Sequence, residues 1–148
     1  MIELQTGNIT FPELGITLLP LLHHTDFITR FPKENIMEIR DMKNGYIWYD
    51  IREKIYDCKI PVHICFNPQK RLEFIDLYPQ FSCLNTNSTR ENLTFEQVEK
   101  DKKYCDEWLL RFCNLQSGLN SFAWGSISAY FDPRSCCSGI WIHYIVSL

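Results

Sequence analysis

Apolar and polar residues alternate between positions 36 and 52, and this alternation predicts a β-hairpin. Two runs, 36–42 and 46–52, flank the pair Asn44-Gly45, which suits the positive φ angles of a tight turn. Successive side chains of a strand point to opposite faces, so one face is predicted to be apolar and the other solvent-facing. The apolar set is Met37, Ile39, Ile47, Tyr49 and Ile51, and the solvent-facing set is Glu38, Arg40, Asp50 and Arg52. We therefore expect a sheet that is covered on one side only.

Four further runs of apolar and β-branched residues predict more strands. Residues 60–66 are almost continuously apolar, which is typical of a strand inside a sheet, and residues 71–78 return antiparallel after a turn. Closer to the N-terminus, residues 8–11 and 15–19 are separated by Pro12-Glu13. The first half of the chain is therefore predicted to form a short strand pair and then an antiparallel meander.

A short helix is predicted between the strand pair and the meander. Thr25 or Asp26 is placed to accept hydrogen bonds from the first free amides of the helix, and Pro32 is placed to stop it. Phe27 and Ile28 are expected to face inward.

A long helix is predicted near residues 95–116, after a polar loop at 82–94. Thr94 with Gln97 three positions later forms a capping box, and Gly118 is placed to end the helix. Apolar residues at near-helical spacing predict that the helix packs on one face of the sheet. They are Val98, Cys105, Trp108, Leu109, Phe112 and Leu115.

The last part of the chain is predicted to be a terminal β-hairpin. Two runs rich in aromatic and β-branched residues flank Asp132-Pro133-Arg134-Ser135, where proline pre-sets the turn and Asp132 can accept from its amides. In the second strand both faces are apolar or aromatic, which predicts a position near the middle of the sheet. One face carries Ile140, Ile142 and Tyr144, and the other carries Trp141, His143 and Ile145.

Length and composition favour one domain, residues 1–148, of the α+β class. The 148 residues are 45% hydrophobic, which is enough for one core, and their longest apolar runs are far shorter than a membrane span of ~20 residues. No basic segment followed by an apolar one stands at the N-terminus, so we expect a cytoplasmic protein that does not bind membranes. The single domain is predicted to be mainly an antiparallel sheet of about six to eight strands with one short and one long helix.

Net charge narrows the classes of partner, and cysteine content indicates the redox compartment. The net charge of −3 and the lack of a Lys/Arg run argue against nucleic acid and favour a basic partner. Seven cysteines, an odd number, lie mostly in apolar segments, which suits buried thiols in a reducing compartment. A secreted, disulfide-bridged protein is the open alternative.

Several groups of residues are of types that act in catalysis or bind metals, but none forms a complete catalytic or metal-binding motif. Cys58, His63 and Cys65 are zinc-ligand types without a Cys-x-x-Cys pair or a fourth ligand. Cys137, His143 and Asp132 supply a thiol, an imidazole and an orienting carboxylate from one hairpin. The pairs His23-His24 and Cys136-Cys137 are read as a polar loop and as packing residues. We therefore predict no catalytic residues, no metal and no cofactor.

A family resemblance covers about the last two-thirds of the chain. It is carried by residues 124–130, by Asp132-Pro133-Arg134-Ser135 and by Ile140, Ile142 and Tyr144, with weaker likeness at 66–75 and near Trp108-Leu109. These segments resemble small bacterial immunity proteins of polymorphic toxin and contact-dependent inhibition systems. The cysteines at 136 and 137 depart from that pattern, in which small residues stand.

The resemblance implies an immunity protein that neutralises a cognate toxin domain by binding it, without catalysis of its own. The mild acidity favours a basic toxin such as a nuclease. Acidic and aromatic residues of the first meander hairpin are the predicted partner-binding set, since such residues anchor many interfaces. They are Glu38, Asp41, Tyr46, Trp48, Asp50 and Glu53.

Two other classes of function stay open from the sequence. The first is a small ligand-binding domain or cysteine-dependent enzyme that uses a pocket between the sheet and the long helix, with Cys65, His63 or His143 in the pocket. The second is a structural subunit of a larger assembly. The sequence leaves the identity of the toxin and the oligomeric state open.

Overall fold

The computed structural model describes residues 1–82 and 94–145, and within them the protein forms nine β-strands and two α-helices. The helices are α1, His24–Arg30, and α2, Phe95–Cys113. The strands are β1 Ile9–Phe11, β2 Ile16–Leu18, β3 Ile36–Asp41, β4 Ile47–Ile55, β5 Cys58–Phe66, β6 Leu72–Leu77, β7 Asn120–Phe122, β8 Gly125–Asp132 and β9 Cys137–Tyr144. The predicted α+β class is confirmed. The predicted polar loop at 82–94 lies almost wholly outside the described residues.

Seven of these strands form one antiparallel sheet in the order β3-β4-β5-β6-β9-β8-β7, and β1 pairs with β2 separately. The meander from β3 to β6 follows chain order, as the sequence predicts. The terminal hairpin of β8 and β9 then adds to β6 through β9, so β9 is an interior strand. Its predicted place inside the sheet is confirmed.

One face of the seven-stranded sheet forms the hydrophobic core. A row of directly opposed residues crosses five strands on this face, and all of its members are buried. The row is Ile51, Val62, Leu77, Ile140 and Ala129. Both helices pack here: the Phe27 ring of α1 lies 4.9 Å from the Tyr49 ring, and Ser138 Oγ donates to the Val98 carbonyl of α2 over 2.6 Å. Apolar burial on this face is the main stabilising term of the fold.

Helix α2 begins where the sequence predicts and ends earlier. The Thr94 hydroxyl accepts from the Gln97 amide over 3.2 Å, which confirms the cap. The helix stops at Cys113 because Asn114 adopts the left-handed conformation, with φ +55°. Asn tolerates this conformation because its short polar side chain bonds locally, so Gly118 is not needed. The predicted end near residue 116 is wrong by one turn.

Helix α1 uses a different cap from the one predicted. His23 precedes the helix, and its Nδ1 atom accepts from the Thr25 amide over 3.2 Å. An imidazole nitrogen here accepts the capping hydrogen bond that a short side chain with an oxygen atom usually accepts. The prediction that Thr25 or Asp26 caps the helix is therefore wrong. Phe27 is buried as expected, whereas Ile28 is exposed.

The β3–β4 hairpin corrects two details of the sequence reading. Positive φ angles fall on Lys43 (+62°) and Gly45 (+94°), and the connection is longer than a two-residue turn. Met37 and Ile39, which were predicted to be buried, are 71% and 58% exposed. They lie on β3, which is the edge strand of the sheet.

The N-terminal segment is fastened to the end of the terminal hairpin. Tyr144 Oη donates to the Gly7 carbonyl over 2.9 Å, and Trp124 Nε1 donates to the Leu4 carbonyl over 2.7 Å. Tyr144 is fully buried, so its hydroxyl needs this acceptor.

No helix within the described residues is long and apolar enough to cross a membrane.

Candidate functional site

The second face of the seven-stranded sheet carries aromatic and charged side chains, and we call it the open face. The strand register brings these residues together in two neighbouring rows. One row is Trp48, Cys65, Phe74, His143 and Ser126; the other is Asp50, His63, Asp76, Trp141 and Ser128. Because opposed residues of an antiparallel pair share a face, all ten side chains lie on the side away from α1 and α2.

Aromatic rings form a connected layer on the open face. The Trp141 ring lies 4.7 Å from the Phe74 ring, 6.3 Å from the Tyr130 ring and 6.4 Å from the Trp48 ring, between centroids. Phe74 also stacks on His143 at 4.9 Å. All five rings are only partly buried. They therefore present a rigid, partly solvated aromatic surface, since each ring is fixed by its neighbours.

A charged cluster borders this aromatic layer on the side of β3. Arg40 Nη2 donates to Asp50 Oδ1 over 2.7 Å, and the same oxygen lies 3.7 Å from His63 Nε2. The Arg40 guanidinium also lies 5.6 Å from the centroid of the Trp48 ring. The Asp50 and His63 side chains are largely buried, so the pair with Arg40 is held more firmly than an ordinary surface ion pair.

Asp76 lies beneath the aromatic layer at the centre of the open face. It is 6% exposed, and its Oδ1 atom has no hydrogen-bond partner within the described residues. Burial raises the pKa of Asp76 to about 7, and the hydroxyls of Tyr78 and Tyr130 and the charge of Arg40 oppose this rise. Tyr130 Oη donates to Tyr78 Oη over 3.3 Å, which holds the two rings together. The centre of the open face therefore contains a carboxyl group that titrates near neutral pH.

The six predicted partner-binding residues do not share one surface. Glu38, Trp48 and Asp50 lie on the open face, where Glu38 is opposite Asp50. Asp41 is opposite Ile47 and is exposed on the other side of the hairpin. Tyr46 precedes β4, and its amide donates to Asn44 Oδ1 over 3.1 Å. The structure thus brings Glu38, Trp48 and Asp50 together and places Asp41 apart from them.

Glu53, the sixth residue, is not solvent-facing, and this part of the prediction is wrong. It is 2% exposed and lies on the core face with Ile51 and Ile55. The side chains of a strand alternate, so position 53 shares the face of 51 and not that of 50. Asn35 Nδ2 donates to Glu53 Oε1 over 2.7 Å, which compensates for part of the cost of burying the carboxylate.

The alternative site predicted between the sheet and α2 does not contain its proposed residues. His63, Cys65 and His143 all lie on the open face, whereas α2 packs on the core face. Cys65 is fully buried, and burial raises the pKa of its thiol to about 12, so the thiol is protonated at neutral pH.

The other candidate groups of the sequence are also separated in space. Cys137 and His143 are six positions apart in β9, which places their backbones about 20 Å apart. His23 caps α1, and His24 Nε2 lies 2.7 Å from the Tyr49 hydroxyl, so the two imidazoles serve different contacts. Among residues 1–82 and 94–145, no three His, Cys, Asp or Glu side chains are grouped to hold a metal ion.

Sequence reasoning missed the members of the open face that come from β6, β8 and β9, namely Phe74, Asp76, Tyr130 and Trp141. Alternation marks the faces of each strand, but the pairing of β6 with β9 joins residues that are far apart in the chain.

No family model, curated protein or solved structure matches this chain.

Proposed function

We propose that this protein binds a partner protein through the open face and acts by that binding, without catalysis. The observation that carries the proposal is the aromatic layer of Trp48, Phe74, Tyr130 and Trp141 beside the Arg40–Asp50 pair. Trp, Tyr and Arg are the residue types that dominate binding energy in protein interfaces. Here they are partly exposed on a sheet whose backbone is fixed, so little ordering entropy is lost on binding.

The partner that we propose is a cognate bacterial toxin domain, which makes this protein an immunity protein. Two observations support this class: the resemblance of the terminal hairpin to immunity proteins, and the net charge of −3. Opposite net charge accelerates encounter with a basic toxin such as a nuclease, while the local charges fix the orientation.

The burial of Asp76 and Cys65, which have acid–base and thiol chemistry, favours a binding function over catalysis. Asp76 is covered by its aromatic neighbours, and Cys65 is fully buried with a protonated thiol. A substrate would have to displace packed rings to reach either group. The exposed part of the open face is aromatic and ion-paired instead, which suits a protein surface.

The experiment is co-expression with the product of the adjacent toxin gene, followed by affinity purification and a test of cell protection. We expect the two proteins to co-purify, and the W48A/W141A double variant to bind at least about 30-fold more weakly, as loss of a hot spot implies. Y104A is the matched control, because Tyr104 is an exposed aromatic residue on α2. Circular dichroism checks that each variant is folded.

Two results would contradict the proposal. The first is failure of the wild-type protein to co-purify with the toxin or to protect cells from it. The second is a folded W48A/W141A variant that binds and protects as well as Y104A does.

A further inference from the structure

The β3 edge of the sheet carries an exposed strand in which apolar residues are mixed with charged ones. Among the described residues β3 pairs only with β4, so the backbone groups along its outer side have no strand partner there. Met37, Ile39 and the following Met42 are 71%, 58% and 50% exposed. An exposed edge strand with unpaired backbone groups and apolar side chains is a template for pairing with another strand.

The two ends of the sheet differ in how they are protected from such pairing. The edge strand β7 at the other end has only three residues, and short edge strands pair poorly. β3 has six residues and contains neither proline nor lysine, which commonly block edges. Its irregularity lies between Ile36 and Glu38, so the segment from Glu38 to Asp41 keeps a regular register.

The sequence of β3 is complementary to itself in one antiparallel register. When two copies pair about a two-fold axis through Ile39, each Ile39 lies opposite the other, and Glu38 of each copy lies opposite Arg40 of its partner. These opposed side chains share a face, as antiparallel pairing requires. Registers centred on Glu38 or on Arg40 would instead place two like charges opposite each other. Charge therefore favours the register at Ile39 over these two, and a register centred on Met37 would fall on the irregular part of β3.

We propose that two copies of this chain associate by antiparallel pairing of their β3 strands about Ile39. The pairing joins two seven-stranded sheets into one continuous sheet, with both open faces on the same side. Within each copy, Arg40 Nη2 also donates to Asp50 Oδ1 over 2.7 Å. The proposal does not rest on the proposed function, because the purified protein alone is tested and no toxin is needed; Glu38 and Arg40 also border the open face.

Sedimentation of the purified protein over a wide range of concentrations tests the association. We expect the wild type to convert from monomer to dimer as concentration rises. E38K places two cations opposite each other and R40E places two anions, so each variant alone should dimerise at least about tenfold more weakly. An equimolar mixture of E38K and R40E should recover the dimer, because both contacts are then between opposite charges.

Matched controls separate this register from a general effect of charge. E96K makes the same charge change at an exposed position of α2 and should dimerise like the wild type. Glu38 is exposed on the edge strand, so E38K keeps the fold; if R40E does not fold, I39D replaces it and should dissociate the dimer. A wild type that stays monomeric throughout would overturn the proposal, as would an E38K variant that dimerises as well as E96K. A mixture of folded E38K and R40E that stays monomeric would equally overturn it.

Discussion

Gly139 lies directly opposite Tyr130 in the pairing of β9 with β8, and a Cβ atom at position 139 would come within 3.0 Å of the Tyr130 hydroxyl oxygen. The same Cβ would lie 3.0 Å from Tyr78 Cε1 and 3.1 Å from the Leu77 carbonyl oxygen. The missing side chain therefore allows two tyrosine rings to close over Asp76. Glycine is needed here for close packing, and its φ angle plays no part.

Replacement of this glycine is expected to destabilise the fold. Gly139→Ala should lower the free energy of unfolding by about 1–3 kcal/mol, because overpacking outweighs the usual gain from removing a strand glycine. Urea denaturation measures the change. In the G139A/Y130F double variant the loss should be smaller than the sum of the two single losses, since the closest oxygen is gone. An increase in stability for G139A would contradict the close contact.

Asp76 is expected to make stability depend on pH. Its pKa rises from the ordinary value of 3.8 to about 7, so the folded state holds the proton more tightly than the unfolded chain. The stabilising contribution is complete below pH 3.8 and is lost as the pH rises to about 7. Between pH 5 and pH 8 the wild type should lose on the order of 3 kcal/mol relative to Asp76→Asn, as two pKa units imply.

Denaturation of both proteins at several pH values tests this dependence. Groups other than residue 76 are common to the two chains, so their titration largely cancels in the difference. Parallel stability curves for the wild type and D76N would show that Asp76 does not titrate in this range.

The interior position of β9 predicts unequal effects for two isoleucines near its end. Ile142 is fully buried between β6 and β8, whereas Ile145, just beyond the strand, is exposed. Ile142→Ala should cost about 2–5 kcal/mol because it leaves a cavity, and Ile145→Ala should cost less than about 0.5 kcal/mol. Thermal or urea unfolding compares the two. Equal effects would mean that β9 is not an interior strand.

Thiol reactivity is expected to divide the cysteines by burial. Cys136 is exposed, whereas Cys65, Cys105 and Cys113 are buried, and burial raises the pKa of each of these three thiols. Cys83 lies outside the described residues, so it is first replaced by serine. In this C83S background, a chromogenic disulfide reagent should modify Cys136 rapidly and the three buried thiols only after denaturation. A buried cysteine that reacted fastest at neutral pH, with loss of an activity on substitution, would favour the cysteine-enzyme alternative.

Local patterns predicted the elements of the fold well because those patterns act over a few residues. The Thr94–Gln97 cap, the strand pair at 9–18 and the Asp132 turn are all found, since each depends on neighbouring residues alone. The helix ends were harder to predict, because histidine ranks low among N-cap residues and because Asn114 ends α2 where glycine is the commoner residue. Each succeeds through one specific hydrogen bond or backbone conformation.

The candidate site was only partly predictable because it depends on which strands pair. Trp48 and Asp50 were identified on the correct face from alternation alone. Trp141 and Asp76 join them through the pairing of β6 with β9, which no local pattern encodes. The burial of edge residues was also predicted wrongly: Ile39 has the right parity for the core face, but it lies on the edge strand and is 58% exposed.

The bonds from Tyr144 to Gly7 and from Trp124 to Leu4 also set the order in which the chain can fold. Each closes a loop of more than a hundred residues, so the closing entropy is large and these contacts form late. During synthesis, the segment around Leu4 and Gly7 cannot make these two bonds until Trp124 and Tyr144 have been added. We therefore expect that nascent chains lacking β9 leave the segment around Leu4 and Gly7 incompletely docked and need protection from aggregation until synthesis passes Tyr144.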